Sequence, residues 1–207
     1  MSEDKKSIIL NAAKQAFAEK GFAAVGIREI AKESGLNSAT LYHYFQSKES
    51  IYAAILEETF EKIVAILHEI AQVERGEEEN VRFAVGRYID FMNENREFLK
   101  ILVHEMNLGT DIVVDVTKKF YGRFFRVAEE MIAARKGARG VRDINPKHLL
   151  ISGIGLCMIY FMLAPLLEIL EGKEQLTAES LEERKREVVD LMLYGIMAKE
   201  GRENAKT

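Results

Sequence analysis

The stretch from residue 26 to residue 50, GIREIAKESGLNSATLYHYFQSKES, constrains the fold more than any other part of the chain. Its apolar positions predict two short helices joined by a tight turn, with a longer helix beginning directly afterwards. Ile27, Ile30 and Ala31 form one apolar stripe at helical spacing. Gly35 can end that helix by adopting a positive φ. Leu41 and Phe45 lie four residues apart, so both side chains are expected to face the interior.

The second short helix is expected to leave its opposite face in solvent. Asn37 or Ser38 can cap it, and its first turn carries small or hydroxyl-bearing side chains. Such side chains at the start of an exposed helix suit the DNA major groove, where base edges take short polar and apolar contacts. The alternative is an ordinary helical hairpin inside a bundle. We predict the following DNA-contacting residues: Arg28, Asn37, Ser38, Ala39, Thr40, Tyr42, His43 and Lys48.

Three members of this set have specific roles or alternatives. Lys48 opens the third helix, where its ammonium group and the free backbone N–H groups can together hold a phosphate. Arg28 is a weaker candidate, because its guanidinium group can instead pair with a neighbouring carboxylate. Tyr42 can donate a hydrogen bond to a phosphate, or its ring can pack against neighbouring side chains.

The order of these motifs resembles the helix-turn-helix domain of the TetR family of transcriptional regulators. The resemblance covers about the first quarter of the chain. Val25 and Gly26 stand where a pair of threonines is common in the family. The matching residues are Gly21-Phe22, Ile27-Arg28-Glu29-Ile30-Ala31, Ser34-Gly35-Leu36, Leu41-Tyr42-His43-Tyr44-Phe45 and Ser47-Lys48-Glu49.

The resemblance implies an all-α protein with two domains. A three-helix DNA-binding domain would span residues 1–48, and a larger ligand-binding and dimerisation domain would span residues 49–207. It also implies a homodimer that binds a palindromic double-stranded DNA operator, most often as a repressor, and that responds to a small-molecule effector. No cofactor is expected.

Composition agrees with a helical, intracellular protein. Of 207 residues, 48% are apolar and only two are proline, so a sizeable helical core can form. The single Cys157 rules out a disulfide within the chain and fits a reducing compartment. No secretion signal is evident, and we expect a cytoplasmic location. The net charge is −4, but residues 1–50 hold seven Lys or Arg against six Asp or Glu, so this segment is mildly basic. That distribution permits DNA binding without requiring it.

About nine helices are predicted along the chain. Outside the motif, apolar periodicity predicts helices over residues 5–20, 48–74, 81–94, 96–106, 112–135 and 147–171, and a last one from Thr177 to about residue 199. Gly21 is expected to end the first helix, and Ser47 and Thr177 are expected to cap the helices that follow them. The inward face of the first helix is predicted to hold Ile8, Ile9, Ala12, Ala13, Ala16 and Phe17, and that of the helix from residue 48 is predicted to hold Ile51, Ile55, Phe60, Ile63, Leu67 and Ile70. Segments 75–80, 107–111 and 136–146 are polar or glycine-rich and are expected to be turns or loops. Pro146 is well suited to the first turn of the helix that follows it.

Residues 149–167, LLISGIGLCMIYFMLAPLL, form an uncharged run of nineteen residues. This length reaches the threshold for a membrane span. A helix buried against both its own domain and a partner subunit is the alternative that we favour, because Gly153, Gly155 and Pro165 lower membrane insertion and Glu168 follows closely. In the TetR family the last two long helices usually form the dimer contact. The dimer residues predicted on this basis are Gly153, Gly155, Met158, Met162, Val188, Leu191, Met192 and Ile196.

Aromatic residues and methionines are concentrated in the middle of the chain. Most are expected to be plain core. The resemblance adds that the middle helices commonly enclose an effector pocket, for which Phe and Met would supply an adaptable apolar wall. The residues predicted to line it are Phe60, His68, Phe91, His104, Phe124 and Met158. This composition favours a hydrophobic effector.

Other classes of function have little support in the sequence. The four histidines, at positions 43, 68, 104 and 148, do not form a metal-binding pattern. No phosphate-binding glycine loop or nucleophile motif is present, so an enzyme is not expected. Two alternatives to a DNA-binding regulator are kept: a membrane-attached helical protein that uses residues 149–167, and a small-molecule carrier without DNA-binding activity.

Overall fold

The computed structural model describes residues 2–72, 76–108, 111–134 and 144–196. Within these ranges the chain forms nine α-helices and no strands. The helices are α1 (Ser2–Lys20), α2 (Ile27–Ser34), α3 (Ser38–Tyr44), α4 (Lys48–Gln72), α5 (Glu77–Glu94), α6 (Arg96–Leu108), α7 (Asp111–Ala133), α8 (Pro146–Glu171) and α9 (Ala178–Ile196). The predicted all-α fold is confirmed.

The helix ends follow the capping residues that the sequence indicated. Gly21 and Gly35 have φ values of 77° and 68°, as expected for residues that end α1 and α2 in the left-handed region. The Oγ of Ser47 accepts a hydrogen bond from the backbone N–H of Ser50 at 3.2 Å, so Ser47 caps α4. The Oγ1 of Thr177 accepts one from the N–H of Ser180, also at 3.2 Å, and caps α9 in the same way.

The start of α5 differs from the sequence prediction. Residues 77–80 were expected to belong to a charged turn, but Glu77 begins the helix. Three successive glutamates stabilise the first turn because their charges oppose the positive end of the helix dipole. The expected turn around Thr110 and most of the expected loop over residues 136–146 lie outside the described residues.

The helices divide between two compact units. We call the first, Met1–Lys62 with Asn95–Gly122, the head unit, and the second, Ile63–Glu94 with Arg123–Thr207, the body unit. The motif predicted a domain boundary at residue 48, between a DNA-binding part and a ligand-binding part. The two units in the structure are defined by packing: α1 packs against α6 as well as against α2, so α6 belongs to the head unit. α4 begins in the head unit and continues into the body unit.

The head unit has an aromatic core at the level where α1 ends and α4 begins. The ring of Phe22 lies 5.5 Å from that of Phe17 and 4.8 Å from that of Tyr52, measured between centroids. Ile30, Ala31 and Leu41, which were predicted to face inward, are buried in the head unit, whereas Ile27 of the same stripe is half-buried. Ile8 was predicted to face inward but is 39% exposed, because it lies at the edge of the stripe formed by its neighbours.

In the body unit, α5 packs against both α8 and α9. α8 buries Cys157, Phe161 and Ala164, which lie on one of its faces. The opposite face is apolar and exposed to solvent in the single chain. Among the described helices, α8 alone is long and apolar enough to cross a membrane, with a mean hydropathy of 2.2 over its most apolar window.

Candidate DNA interface and ligand cavity

α3 carries five of the predicted DNA-contacting side chains on its outer surface. Ala39, Tyr42 and His43 are exposed, while Ser38 and Thr40 are partly exposed. Leu41, on the opposite side of the helix, is completely buried and holds α3 against the head unit. The surface therefore combines a rigid inner face with short outer side chains, which is the geometry that entry into a major groove requires.

Asn37 organises the beginning of this surface. Its Oδ1 accepts hydrogen bonds from the backbone N–H of Thr40 at 2.8 Å and from the Thr40 hydroxyl at 3.0 Å. The first bond caps α3. The second fixes the rotamer of the Thr40 hydroxyl, whose oxygen can still accept a hydrogen bond from a donor outside the protein.

α2 contributes an exposed Arg28 but lacks a side-chain cap. Gly26 is the N-cap residue of α2 and has no side chain with which to cap the helix. The ion pair between Lys20 and Glu29 joins α1 to α2, and its hydrogen bond lowers the pKa of the Glu29 carboxyl.

Lys48 is placed differently from the phosphate-binding role predicted for it. Its Nζ donates a hydrogen bond to the carbonyl oxygen of Phe22 at 2.8 Å and lies 4.2 Å from the centroid of the Phe22 ring. The ammonium group thus ties the first turn of α4 to the segment between α1 and α2. A contact with phosphate would have to be made in addition to this contact, or by giving it up.

Replacing Lys48 with methionine is expected to lower the free energy of unfolding by about 1–2 kcal/mol, because it removes a charge-assisted hydrogen bond and a cation–π contact together. Urea titration followed by circular dichroism measures this loss. Lys62→Met is the matched control: Lys62 is exposed and pairs with Glu58 within α4, so its loss should cost less than about 0.5 kcal/mol. Equal costs for the two variants would contradict the structural role of Lys48.

The body unit contains a partly open apolar cavity of about 240 Å³. Its wall is built from α4, α5, α7, α8 and one residue of α9, and nearly all of it is aliphatic or aromatic. The residues that form the wall are Ile63, Ile66, Leu67, Ile70, Glu77, Asn80, Val81, Ala84, Val85, Tyr88, Phe124, Ala128, Met131, Ile132, Ile144, Pro146, Leu149, Leu150, Gly153, Ile154, Cys157 and Met192.

Polar groups in the wall are few. Glu77 and the buried Asn80 lie together on the first turn of α5. Burial raises the pKa of the Cys157 thiol to about 12, so this group is protonated and unreactive at neutral pH. No group of His, Cys, Asp and Glu side chains in the described ranges is arranged to hold a metal ion. The lining of the cavity is therefore suited to binding an apolar molecule.

Comparison with known proteins identifies the head. Residues 9–55 match the family of bacterial regulatory proteins known as the tetR family. The match contains α2 and α3 and reaches into α4.

This segment is similar to the TetR-family helix-turn-helix.

Curated proteins similar to this chain are named as transcriptional regulators. The activator FasR from Mycolicibacterium smegmatis is 25% identical over 100 residues, which cover 48% of this chain and 46% of FasR. The repressor Rv3405c from Mycobacterium tuberculosis is 26% identical over 179 residues, covering 86% of this chain and 84% of that protein. The chain thus spans about half the length of FasR. The matched family and both relatives are transcriptional regulators with a DNA-binding helix-turn-helix.

A solved structure confirms the fold along most of the chain. PfmR, a TetR-family regulator from Thermus thermophilus, superposes with a TM-score of 0.71 at 20% sequence identity. The superposition covers 90% of this chain and 97% of PfmR. The similarity therefore extends beyond the head to the helices that form the cavity.

Most of the residues predicted to line a pocket lie outside the cavity wall. Phe124 lies in the wall of the cavity. Phe60 is buried in the head unit against Phe98, with ring centroids 5.7 Å apart. Phe91 is buried outside the cavity wall, and the following residues do not line it either: His68, which is exposed, and Met158, which is half-buried. The side chain of His104 lies outside the described part of the chain.

The residues predicted at a dimer contact also separate into groups. Gly155, Met162 and Leu191 are exposed, and Met158 is half-buried. Val188 is only 1% exposed, because it packs within its own body unit, so the structure corrects its assignment. Gly153 and Met192 both lie in the cavity wall, close to each other: a Cβ on Gly153 would lie 3.3 Å from the Met192 Cε. The side chain of Ile196 lies outside the described part of the chain.

Sequence reasoning missed much of the exposed apolar face and of the cavity wall. The exposed residues that it missed are Ile151, Ile159, Leu163, Leu166, Ile169, Leu170 and Tyr194. Their helical spacing was visible, but α8 is apolar on all sides, so periodicity did not show which face was inward. In α4, by contrast, the predicted inward series does contain the cavity residues Ile63, Leu67 and Ile70.

Proposed function

We propose that this chain is a ligand-responsive repressor of the TetR family that binds a palindromic operator as a homodimer in the cytoplasm. The observation that supports this most directly is the outer face of α3, where Ala39, Tyr42 and His43 stand in solvent above a buried Leu41. Its first turn carries no long charged side chain, which favours direct contact with base edges. Named relatives include both an activator and a repressor, and repression is the commoner role in the family.

Dimerisation is supported by the exposed face of α8 and α9. Ile169 is 80% exposed and Leu166 is 52% exposed, and Leu191 adds to the same kind of surface on α9. Contiguous apolar faces of this kind on soluble proteins usually mark a partner contact. A two-fold axis would bring the same face of a second copy against it. Two α3 helices could then enter major grooves about 34 Å apart, which lengthens the sequence that is read.

A membrane is the competing explanation for this face. The acidic residues Glu168 and Glu171 lie on α8 among its exposed apolar residues, and Arg184 of α9 donates a hydrogen bond to the Leu156 carbonyl at 2.6 Å. Such groups suit a helix that packs on a neighbouring protein helix rather than in lipid. Recovery of the expressed protein from the soluble fraction without detergent would exclude the membrane-attached alternative.

Effector response is supported by the cavity. α4 supplies Ile63, Ile66 and Ile70 to its wall, and the same helix starts at Lys48 in the head unit. A molecule in the cavity can shift α4 only if it binds the DNA-competent and the released states with different affinities. A coupling free energy of about 1–3 kcal/mol would change operator affinity roughly 5–150-fold.

The DNA-binding part is tested with Thr40→Ala. The variant keeps the backbone N–H bond to Asn37, so the cap of α3 should survive while the hydroxyl is lost. Binding to the palindrome upstream of the gene is expected to weaken by about 1–3 kcal/mol, and binding to random DNA of the same length should stay nearly unchanged. Fluorescence anisotropy at two salt concentrations measures both.

A small-molecule carrier predicts a different outcome. It would show no salt-sensitive binding to the upstream DNA, in the parent chain or in the variant. Equal losses on palindromic and random DNA for Thr40→Ala would instead contradict the assignment of Thr40 to base contact.

A further inference from the structure

The size of the cavity limits the molecule that it can hold. Its volume is about 240 Å³. An apolar protein cavity of about 150 Å³ is known to hold benzene. The cavity of this chain therefore has room for about two fused aromatic rings, or for an alkyl group of similar volume.

The charges around the cavity disfavour an anion. Glu77 is the one acidic residue in its wall, and no Lys, Arg or His of the described residues belongs to that wall. The start of α8 offers no compensation, because Pro146 has no N–H and the Oδ1 of Asn145 already accepts from the N–H groups of Lys147 and His148. Among the described residues, a buried carboxylate on a ligand would thus lack a positive partner, which is costly.

The polar end of the cavity favours a ligand that donates a hydrogen bond. The carboxylate of Glu77 and the amide oxygen of Asn80 lie on the same turn of α5. An ionised carboxylate has about four lone-pair sites, so Glu77 can accept a further hydrogen bond beside those that it makes within the protein. A hydroxyl group on the ligand can supply that bond, whereas an ether or a carboxylate cannot.

We infer that the effector is an uncharged, largely apolar molecule of about two fused rings with a hydroxyl group at one end. This inference rests on the proposed function, since it names the chemical class of the effector. The rings occupy the space between α5, α7 and α8, and the hydroxyl donates to Glu77 or Asn80.

Three probes with the same ring system test the class: 2-naphthol, 2-methoxynaphthalene and 2-naphthoate. The chain has no tryptophan, so the fluorescence of the naphthalene ring reports binding without that background. We expect 2-naphthol to bind tightest and 2-naphthoate to bind at least about tenfold more weakly, because the anion is buried beside Glu77. In Glu77→Gln the difference between these two probes should shrink several-fold. Binding of 2-naphthoate as tight as that of 2-naphthol, or an unchanged difference in Glu77→Gln, would overturn the inference.

A second pair of variants locates the binding site. Ala84→Phe fills the cavity from α5 and should abolish 2-naphthol binding, whereas Ala65→Phe, on an exposed part of α4, should leave it unchanged. Circular dichroism checks that each variant folds, and Val81→Phe replaces Ala84→Phe if the latter does not. Binding that persists in a folded cavity variant assigns the probe to another site and overturns the inference.

The readout also separates this inference from the proposed function. Probe binding is measured on the protein without DNA. If 2-naphthol binds as expected but does not change operator affinity, the chemical class holds and the proposed effector response fails. If another molecule releases the operator while 2-naphthol does not bind, the response holds and the inferred class is wrong.

Discussion

Replacing Leu166 with glutamate is expected to convert the dimer to monomers and to weaken operator binding by at least about 100-fold, because a single α3 helix reads too few base pairs for specific affinity. Leu166 is on the exposed apolar face of α8, so the substitution barely disturbs the isolated chain. In a dimer, however, it buries a carboxylate in an apolar contact. Light scattering gives the mass, and anisotropy gives the operator affinity.

Two further variants make this result specific to the proposed interface. Gly155→Leu should also weaken the dimer, since Gly155 is exposed and a Cβ at this position meets no atom of its own chain within 4 Å. The added side chain would then obstruct the approach of a partner helix. Ile8→Glu introduces the same charge at an exposed apolar position of α1 and should leave the mass unchanged. An unchanged dimer mass for both Leu166→Glu and Gly155→Leu would place the contact elsewhere.

Replacing Ala39 with glutamate is expected to abolish detectable operator binding, with a loss of at least about 100-fold, while the fold is retained. Ala39 is exposed in the first turn of α3, where a carboxylate is favourable to the helix by about 0.3–1 kcal/mol. The same charge faces the phosphates and base-edge acceptors of a bound duplex, and such repulsion costs several kcal/mol. Stability and affinity should therefore change in opposite directions.

Ala65→Glu is the control for the change in net charge. Ala65 is exposed on α4 and lies outside the predicted DNA-contacting set. Its substitution should alter operator affinity by less than about threefold, since a distant surface charge is largely screened at physiological ionic strength. If the two variants bound the operator equally well, α3 would not be the recognition helix.

α4 contributes residues both to the head unit and to the wall of the cavity. At its start, Lys48 donates a hydrogen bond to the carbonyl of Phe22, and further along, Ile63 and Ile70 line the cavity. The Lys48 contact means that movement of the first turn of α4 would act on the segment between α1 and α2 as well as on α3. We therefore expect Lys48→Met to reduce effector-induced release of DNA in addition to lowering stability.

Local chemistry determined the features that the sequence predicted well. Left-handed glycines, an Asn37 cap, a Ser47 cap and a Thr177 cap each act within four residues of their own position, so they can be recognised without knowing what packs nearby. The same holds for the inward series of α4, because a single apolar stripe has one possible orientation. The all-α class and the helix-turn-helix followed from these signals.

The cavity and the outward face of α8 were decided by tertiary structure. Phe60 and Phe124 are both aromatic residues within long helices, yet only Phe124 lines the cavity. The reason is that Phe60 belongs to the head unit and Phe124 to the body unit. α8 is apolar on every side, and only its packing against α5 and α9 determines that Cys157 faces inward and Leu166 outward. Sequence by itself determined which segments are helices and which short helix exposes small side chains in its first turn. Tertiary structure alone decided which equivalent apolar side chains enclose a space, because enclosure depends on residues far apart in the chain.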